Sequence, residues 1–442
     1  MEHLPKTLLK VLVGQRNWRY SDFERAFDSA ARRVLESGSP PTVGESQFRR
    51  WTGGKLKGLP GPDTCHVLEV LFETDAAALF APPSAAAATT DVSVLNLEDE
   101  IIMTAREVQD EASATAAASI SDIAIDQLRD ETTALARTYH EKPAFDVWRQ
   151  AIALRRNAED LRERTQIPGQ EQELLILTGQ SAALLSAAAF DLGSLSGAKS
   201  LARTAALYGE TARFGPLRAF AEGSLAYISY FSSEPSRALA YAQHALTRRG
   251  LGDVATCRLR SIEGRAHGHL GNTVAARRAI LLSEEDGSGR RDDLHDGVGG
   301  EFGFTPERLA MSNSSTALLI GDTAQAEVAA ERALALIDTR AEGSLSAAVR
   351  GGASADLALA RLLGNDVDGA AEALKNVWTV RPEQRGTGLL ARTAQVRRLL
   401  AVPHMYGTPL AMELCDRIEN FIHTSASRQI GVGASDVLAL ES

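Results

Sequence analysis

The sequence predicts an all-α chain: a small helical head, a loose connector and a long array of helix pairs. Three observations predict it. Alanine, leucine, arginine and glutamate are abundant while aromatic residues make up only 5%, a composition that favours helix. Apolar residues recur at three- and four-residue spacing in segment after segment. From about residue 168 onward, small residues return at fixed offsets from turn positions, the mark of a repeated supersecondary unit. The 442 residues leave room for roughly two to four domains.

The first helix is predicted over residues 4–16, where Leu8, Leu9, Leu12 and Val13 share a face. The second opens in "YSDFERAFDSAARRVLE", with Ser21 and Glu24 at the spacing of a capping box. Phe23, Phe27, Ala30, Ala31 and Val34 carry its buried stripe. "SGSPP" (37–41) ends it, because proline cannot continue a helix. A third helix is predicted from a second capping box, Thr42 and Glu45. Phe48 and Trp51, three apart, face the same way, while Ser46, Gln47, Arg49 and Arg50 fall mainly on the opposite face. "GG" (53–54) stops this helix, and "KLKGLPGP" follows as a basic turn. A fourth helix, with Val67, Leu68, Leu71 and Phe72 as its stripe, runs to "ALFAPP".

This is the layout of a helix-turn-helix, whose second motif helix enters the major groove of DNA. A large apolar pair locks such a helix to its partner. Guanidinium and short polar groups on the other face can then meet base edges, Arg on guanine and Gln on adenine. Lys55 and Lys57 are placed for phosphate, which fixes position without reading sequence. Charge agrees: residues 1–60 hold eleven Lys/Arg against six Asp/Glu, while the chain as a whole carries −10. A basic head on an acidic body fits a modest nucleic-acid footprint on a larger regulator.

"APPSAAAATTDVS" (81–93) has the composition of a flexible linker. The boundaries implied are a head over 1–83, a linker over 84–96, connecting helices over 97–165, repeats over 166–402, and a capping helix with a flexible tail over 403–442. Within the connecting part, 97–140 reads as two helices, and "FDVWRQAIALRRNAEDLRER" (145–164) as an amphipathic third. Repeat turns are predicted at Gly193, Ser233, Gly271, Gly321 and Gly364. Five residues after the first four comes Ala198, Ala238, Ala276 or Ala326, and seven before them Ser186, Ala226, Gly264 or Ser314. Two antiparallel helices per unit must approach closely, so small side chains return at the crossings, and each pair leaves an apolar face for the next to cover. One long interval holds "EDGSGRRDDLHDGVGGEFGF", predicted as an extra solvated loop. "TPLAMELCDRIENFIH" (408–423) is predicted to cap the array.

"FRRWTGGKLKGLPGPDTCHVLEVLF", with Trp51, Gly54, Pro62, Leu68 and Leu71, resembles the end of the DNA-binding domain of actinobacterial XRE-type (lambda-repressor-like) regulators fused to tetratricopeptide (TPR) repeats. "AFDLGS", "LAYISYF", "GGEFGF" and "RPEQR" extend the likeness through the array. Thr52 departs from the acidic residue usual after the Trp, and "LESGSPP" is longer than the usual tight turn. The resemblance implies a helix-turn-helix followed by a TPR-like α-solenoid, with Glu45, Ser46, Gln47, Arg49 and Arg50 facing the groove. It also implies an inner face lined by the first helix of each pair, where Arg218, Tyr227, Tyr230, Arg260, His267 and Asn313 are candidates to meet an effector. That effector would be a signalling peptide, a small molecule or a partner protein.

No motif for a catalytic triad, P-loop, dinucleotide fold or zinc protease occurs, so neither an enzyme nor a cofactor is expected. His267 and His269 point about 200° apart on a helix and cannot chelate one ion. Cys65, Cys257 and Cys415 are scattered, as in a reducing compartment. No apolar run reads as long enough to cross a bilayer, and the predicted location is cytoplasmic. The expected function is transcription regulation by a homodimer on double-stranded DNA; the alternative is a TPR interaction scaffold that no longer binds DNA.

Overall fold

The computed structural model describes residues 5–35, 40–83, 101–109, 119–285, 287–339 and 347–425. Among them every regular element is helical. The chain divides into two compact units, Met1–Asp110 and Glu111–Ser442. The predicted linker and most of the C-terminal tail lie outside the described residues.

In the first unit, α1 (Leu8–Gln15), α2 (Tyr20–Val34), α3 (Glu45–Thr52), α4 (Pro62–Phe72) and α5 (Ala76–Phe80) enclose one core. The buried residues are largely the stripes seen in the sequence: Leu9, Val13, Phe23, Phe27, Trp51, Val67, Leu68 and Phe72. Neither predicted capping box forms. Helix α2 begins two residues early, behind Arg19 rather than Ser21, and the Asp22 carboxylate, not Glu24, accepts from the Arg19 amide at 3.0 Å. Glu24 instead accepts from the Tyr20 hydroxyl at 2.6 Å. Helix α3 begins at Glu45 behind Gly44, so Thr42 lies too far upstream to cap it. The single fourth helix expected is broken at Glu73, which takes a left-handed φ of 49°. Asp75 then caps α5, accepting from the amides of Ala77 and Ala78. Residues 101–109 form α6, whose side chains are exposed.

The second unit begins with α7 (Asp122–Arg137), a 3-10 turn (Tyr139–Glu141) and α8 (Ala144–Arg162). Five helix pairs follow: α9 (Pro168–Asp191) with α10 (Leu195–Thr211), α11 (Gly215–Phe231) with α12 (Pro235–Leu246), α13 (Asp253–His269) with α14 (Thr273–Glu284), α15 (Pro306–Leu319) with α16 (Thr323–Asp338), and α17 (Ala347–Leu363) with α18 (Val367–Trp378). Then come α19 (Thr387–Leu400), α20 (Pro403–Tyr406) and α21 (Pro409–His423). Each helix of a pair packs on its mate. In addition α9, α11, α13, α15, α17 and α19 pack on one another in succession, and α19 also reaches α9. There the Thr387 hydroxyl donates to the Phe190 carbonyl at 2.5 Å. The first helices of the pairs therefore form a closed inner ring.

The small-residue offsets have a direct cause. Ser186 Oγ donates to the Ala198 carbonyl at 2.8 Å, and Ser314 Oγ to the Ala326 carbonyl at 2.7 Å. The same crossing is thus stitched in the same way in two units, and a larger side chain at either position would hold the helices apart. Gly193, Ser233, Gly271 and Gly321 all have positive φ at the turns, but in the fifth unit that residue is Asn365 rather than Gly364.

Three expectations are overturned here. The inserted loop is packed, not solvated. Leu294 and Phe302 are fully buried, and Phe302 packs edge-on against Phe220 with centroids 4.9 Å apart. Asp292 accepts from the amides of Gly252, Leu294 and His295. Gly300, at φ 61°, brings the chain so close to α7 that a Cβ would lie 2.2 Å from the Ala136 carbonyl oxygen. Helix α9, in turn, is long and apolar enough to span a bilayer by length and composition. Its side chains are largely buried inside the protein, which marks it as a core helix. At the end of the chain α21 buries Leu414, Ile418, Phe421 and Ile422 against α18 and α19. Arg385 donates to Thr424 Oγ1 at 2.7 Å, so Thr424 and Ser425 are held rather than flexible.

Candidate functional site

Two surfaces carry unusual chemistry, one in each unit. In the first, α3 is a short helix held from within. Trp51 is 2% exposed and packs against Phe80. Phe48 is half-buried, with its ring 4.7 Å from Phe23 and 5.7 Å from Tyr20. The Tyr20 hydroxyl also donates to the Val43 carbonyl at 2.9 Å, which ties the approach to α3 down onto α2. Thr7 donates to the carbonyls of Trp51 and Thr52 and secures the far end.

With the aromatic pair inside, Glu45, Ser46, Arg49 and Arg50 are exposed and Gln47 is half-buried. Arg49 pairs with Glu45 one turn earlier at 2.5 Å, but its side chain remains 75% exposed. An exposed pair of this kind holds by well under about 1 kcal/mol, so the guanidinium is available to a stronger anion. Arg50 Nε donates to the Ser46 carbonyl at 3.3 Å. Lys55 and Lys57, past the Gly53–Gly54 stop, are exposed. Four cations thus sit within nine residues on and just after one helix.

The second surface is internal. The ring of first helices, with the Tyr139–Glu141 turn and the inserted loop, lines a cavity of about 180 Å³, the space open to the centre of a water-sized sphere. On that measure one water needs roughly 10–15 Å³, so the cavity has room for on the order of ten to fifteen heavy atoms. Tyr139, Phe190, Tyr227, Tyr230 and Phe304 give it aromatic walls, and Ile228, Ile262, Met311 and Leu389 add aliphatic ones. Arg258, Arg265, Arg308 and Arg392 line it as well, with Asp191 and Glu301 as its carboxylates.

These charges are not evenly matched. Arg392 donates to Asp356 at 3.1 Å and to Ser315 at 2.8 Å. Arg308 pairs with Glu301 at 3.3 Å. Despite its burial, Glu301 is held down to about 2, chiefly by Arg308. His140 Nε2 lies 3.1 Å from Glu301, but without hydrogen-bond alignment. Asp191 accepts from the Tyr139 hydroxyl at 2.8 Å. Desolvation by burial pushes Asp191 up to about 6.

Arg258 is 7% exposed. Its guanidinium lies 4.2 Å from the Phe220 ring centroid, and it donates to the Phe220 carbonyl and Ser224 Oγ. Burial lowers it to about 10, so it stays charged at neutral pH. Arg265 lies over Tyr230 and Phe231, and its Nε is buried without a partner.

Of the six residues expected on the inner face, the structure brings two to the cavity, Tyr227 and Tyr230. Arg218 instead pairs with Glu210 and Glu222, and Arg260 with Glu263. His267 lies near Asn272 at the turn, and Asn313 donates to Ser283 and Glu284 behind the ring. Sequence reasoning missed Arg258, Arg265, Arg308, Arg392, Asp191 and Glu301. A signal for two of them was present: Arg258, Ile262 and Arg265 are spaced four and three apart, one helix face, while Arg260 lies about 200° away from Arg258. Among the described residues no three His, Cys, Asp or Glu side chains gather as a metal site. Known protein-family models and curated proteins give no match to this chain.

Proposed function

We propose that the protein is a DNA-binding transcriptional regulator whose second unit, a TPR-like superhelix, mediates self-association and takes an effector or partner. The observation that carries the reading is the two-sided α3. Phe48 and Trp51 face the core, and this leaves Arg49 and Arg50 standing out on a short helix followed by Lys55 and Lys57. Such a helix presents guanidinium groups to base edges and ammonium groups to phosphate. One head this small gives limited affinity, so two heads on two half-sites are proposed. The exposed Ile101, Ile102, Met103 and Val108 on α6 offer apolar surface of the kind a second copy covers. The cytoplasm is the compartment this role requires.

The cavity of about 180 Å³ supports an effector with a body of small-molecule size. The test is a gel-shift selection on genomic fragments at moderate salt. Wild type is expected to retain specific fragments, and R49A/R50A to lose them with its helical circular dichroism unchanged. If wild type prefers no fragment over random DNA, the head does not read DNA and the interaction-scaffold reading takes its place.

A further inference from the structure

The cavity wall is over-supplied with donors. Arg258 and Arg265 have no carboxylate within ion-pair distance among the described residues, whereas Arg308 and Arg392 each have one. The two unpaired guanidinium groups come from one face of α13, two turns apart. Tyr227 and Tyr230 enter from α11, their rings 5.1 Å apart, and neither hydroxyl has a hydrogen-bond partner among the described residues. Arg258, Arg265 and Arg392 all act electrostatically on Tyr230, so these groups share one region. An interior leaves donors unmet only at a cost, and a buried cation without a counter-charge costs more. The wall between them is apolar and aromatic.

We propose that this cavity binds a small organic anion: a carboxylate on a flat apolar body of about ten to fifteen non-hydrogen atoms. Arg258 and Arg265 take the charge, the hydroxyls of Tyr227 and Tyr230 add donors, and Phe190 and Phe304 enclose the body. The inference deepens the effector half of the proposed function and rests on that reading only for its consequence at DNA. The binding itself stands on the cavity alone.

The test uses the full chain and two probes of near-identical shape, naphthalene-2-carboxylate and its neutral amide, naphthalene-2-carboxamide. Calorimetry and thermal shift are run with each. The carboxylate is expected to bind and raise the melting temperature, and the amide to bind at least about tenfold more weakly, as the loss of a charge-assisted contact requires. R265M removes a cation that makes no hydrogen bond among the described residues, and the methionine keeps an apolar chain against Tyr230 and Phe231, so the variant should fold as wild type does and lose at least about tenfold in affinity for the carboxylate. Y230F, which keeps the ring, should lose less. Equal binding of the two probes, unchanged carboxylate binding in R265M, or no binding of either probe at millimolar concentration each overturns the proposal. Gel shifts in the same samples separate the two readings: DNA binding without probe binding removes the cavity proposal alone, and probe binding without DNA binding removes the regulator.

Discussion

Replacing Lys55 and Lys57 together by glutamine tests the head quantitatively. Both side chains are exposed and sit just past the stop of α3, where a phosphate contact neither needs nor disturbs the core. Each phosphate neutralised releases condensed counterion, and the logarithm of the binding constant falls with that of salt by about 0.9 per contact. The double variant should therefore flatten the salt slope by about 1.8 for one head and about 3.6 for two. Between 50 and 200 mM salt, about 0.9 per contact corresponds to roughly 3.5-fold in affinity, hence about 12-fold for the pair of lysines on one head and about 150-fold on two. Fluorescence anisotropy of a labelled duplex across that range measures the slope directly, and its size reports how many heads are on the DNA. Specificity should be kept while affinity drops, since phosphate contacts position the protein without reading bases. An unchanged slope, with the circular dichroism of wild type, refutes the placement of these lysines on the backbone. A change well below about 1.8 refutes the pairing of both with phosphate.

Three further outcomes follow from the second unit. R392A leaves Asp356, whose side chain is 2% exposed, as an uncompensated buried charge, and should cost about 3–5 kcal/mol in urea unfolding; a loss under about 1 kcal/mol would contradict the buried pair. Asp191 is raised to about 6 from 3.8, so the folded state holds its proton more tightly than the unfolded state does. That contribution is fully present below the unfolded value and is lost as pH rises through about 6. Glu301, lowered to about 2 from 4.5, acts oppositely but only at more acid pH. Wild-type stability should thus fall by up to about 2 kcal/mol between pH 4.5 and 7 from this group, less whatever the cavity water relieves, and D191N should flatten that fall. Parallel pH dependence of the two proteins would show that Asp191 ionises freely. G300A forces the inserted loop off α7, where a Cβ would lie 2.2 Å from the Ala136 oxygen, and should cost about 1–3 kcal/mol; amide exchange at Glu301, which donates to that same oxygen, should quicken with it.

What was legible in the sequence follows from which signals are periodic. The aromatic lock on α3 and the stripe of α2 appear as spacing, because one helix face meets one core. The Ser186 and Ser314 crossings appear as fixed offsets from a turn, because each pair repeats one geometry. Helix starts were less legible. Thr42 with Glu45 has the right letters for a cap, but α3 begins at Glu45 itself. The inserted loop was misjudged for a related reason. Its charges suggested solvent, yet Asp292 spends its carboxylate on three backbone amides, and Phe302 fills the core.

The cavity was the least legible part, because it is a product of closure. A polar residue on the first helix of a pair can face the ring interior, the mate helix or the next pair, and composition does not separate these. Phase does, once a reference on the same helix is fixed. Ile262 lines the cavity, so residues four before and three after it must line it too, which selects Arg258 and Arg265. Arg260 and His267 lie two positions beyond those residues and are turned about 200° away from them. No phase argument within a single helix, however, reveals that α19 returns to α9. That contact rests on Thr387 and Phe190, 197 residues apart, and it is what closes the ring of helices around a site with more cations than counter-charges.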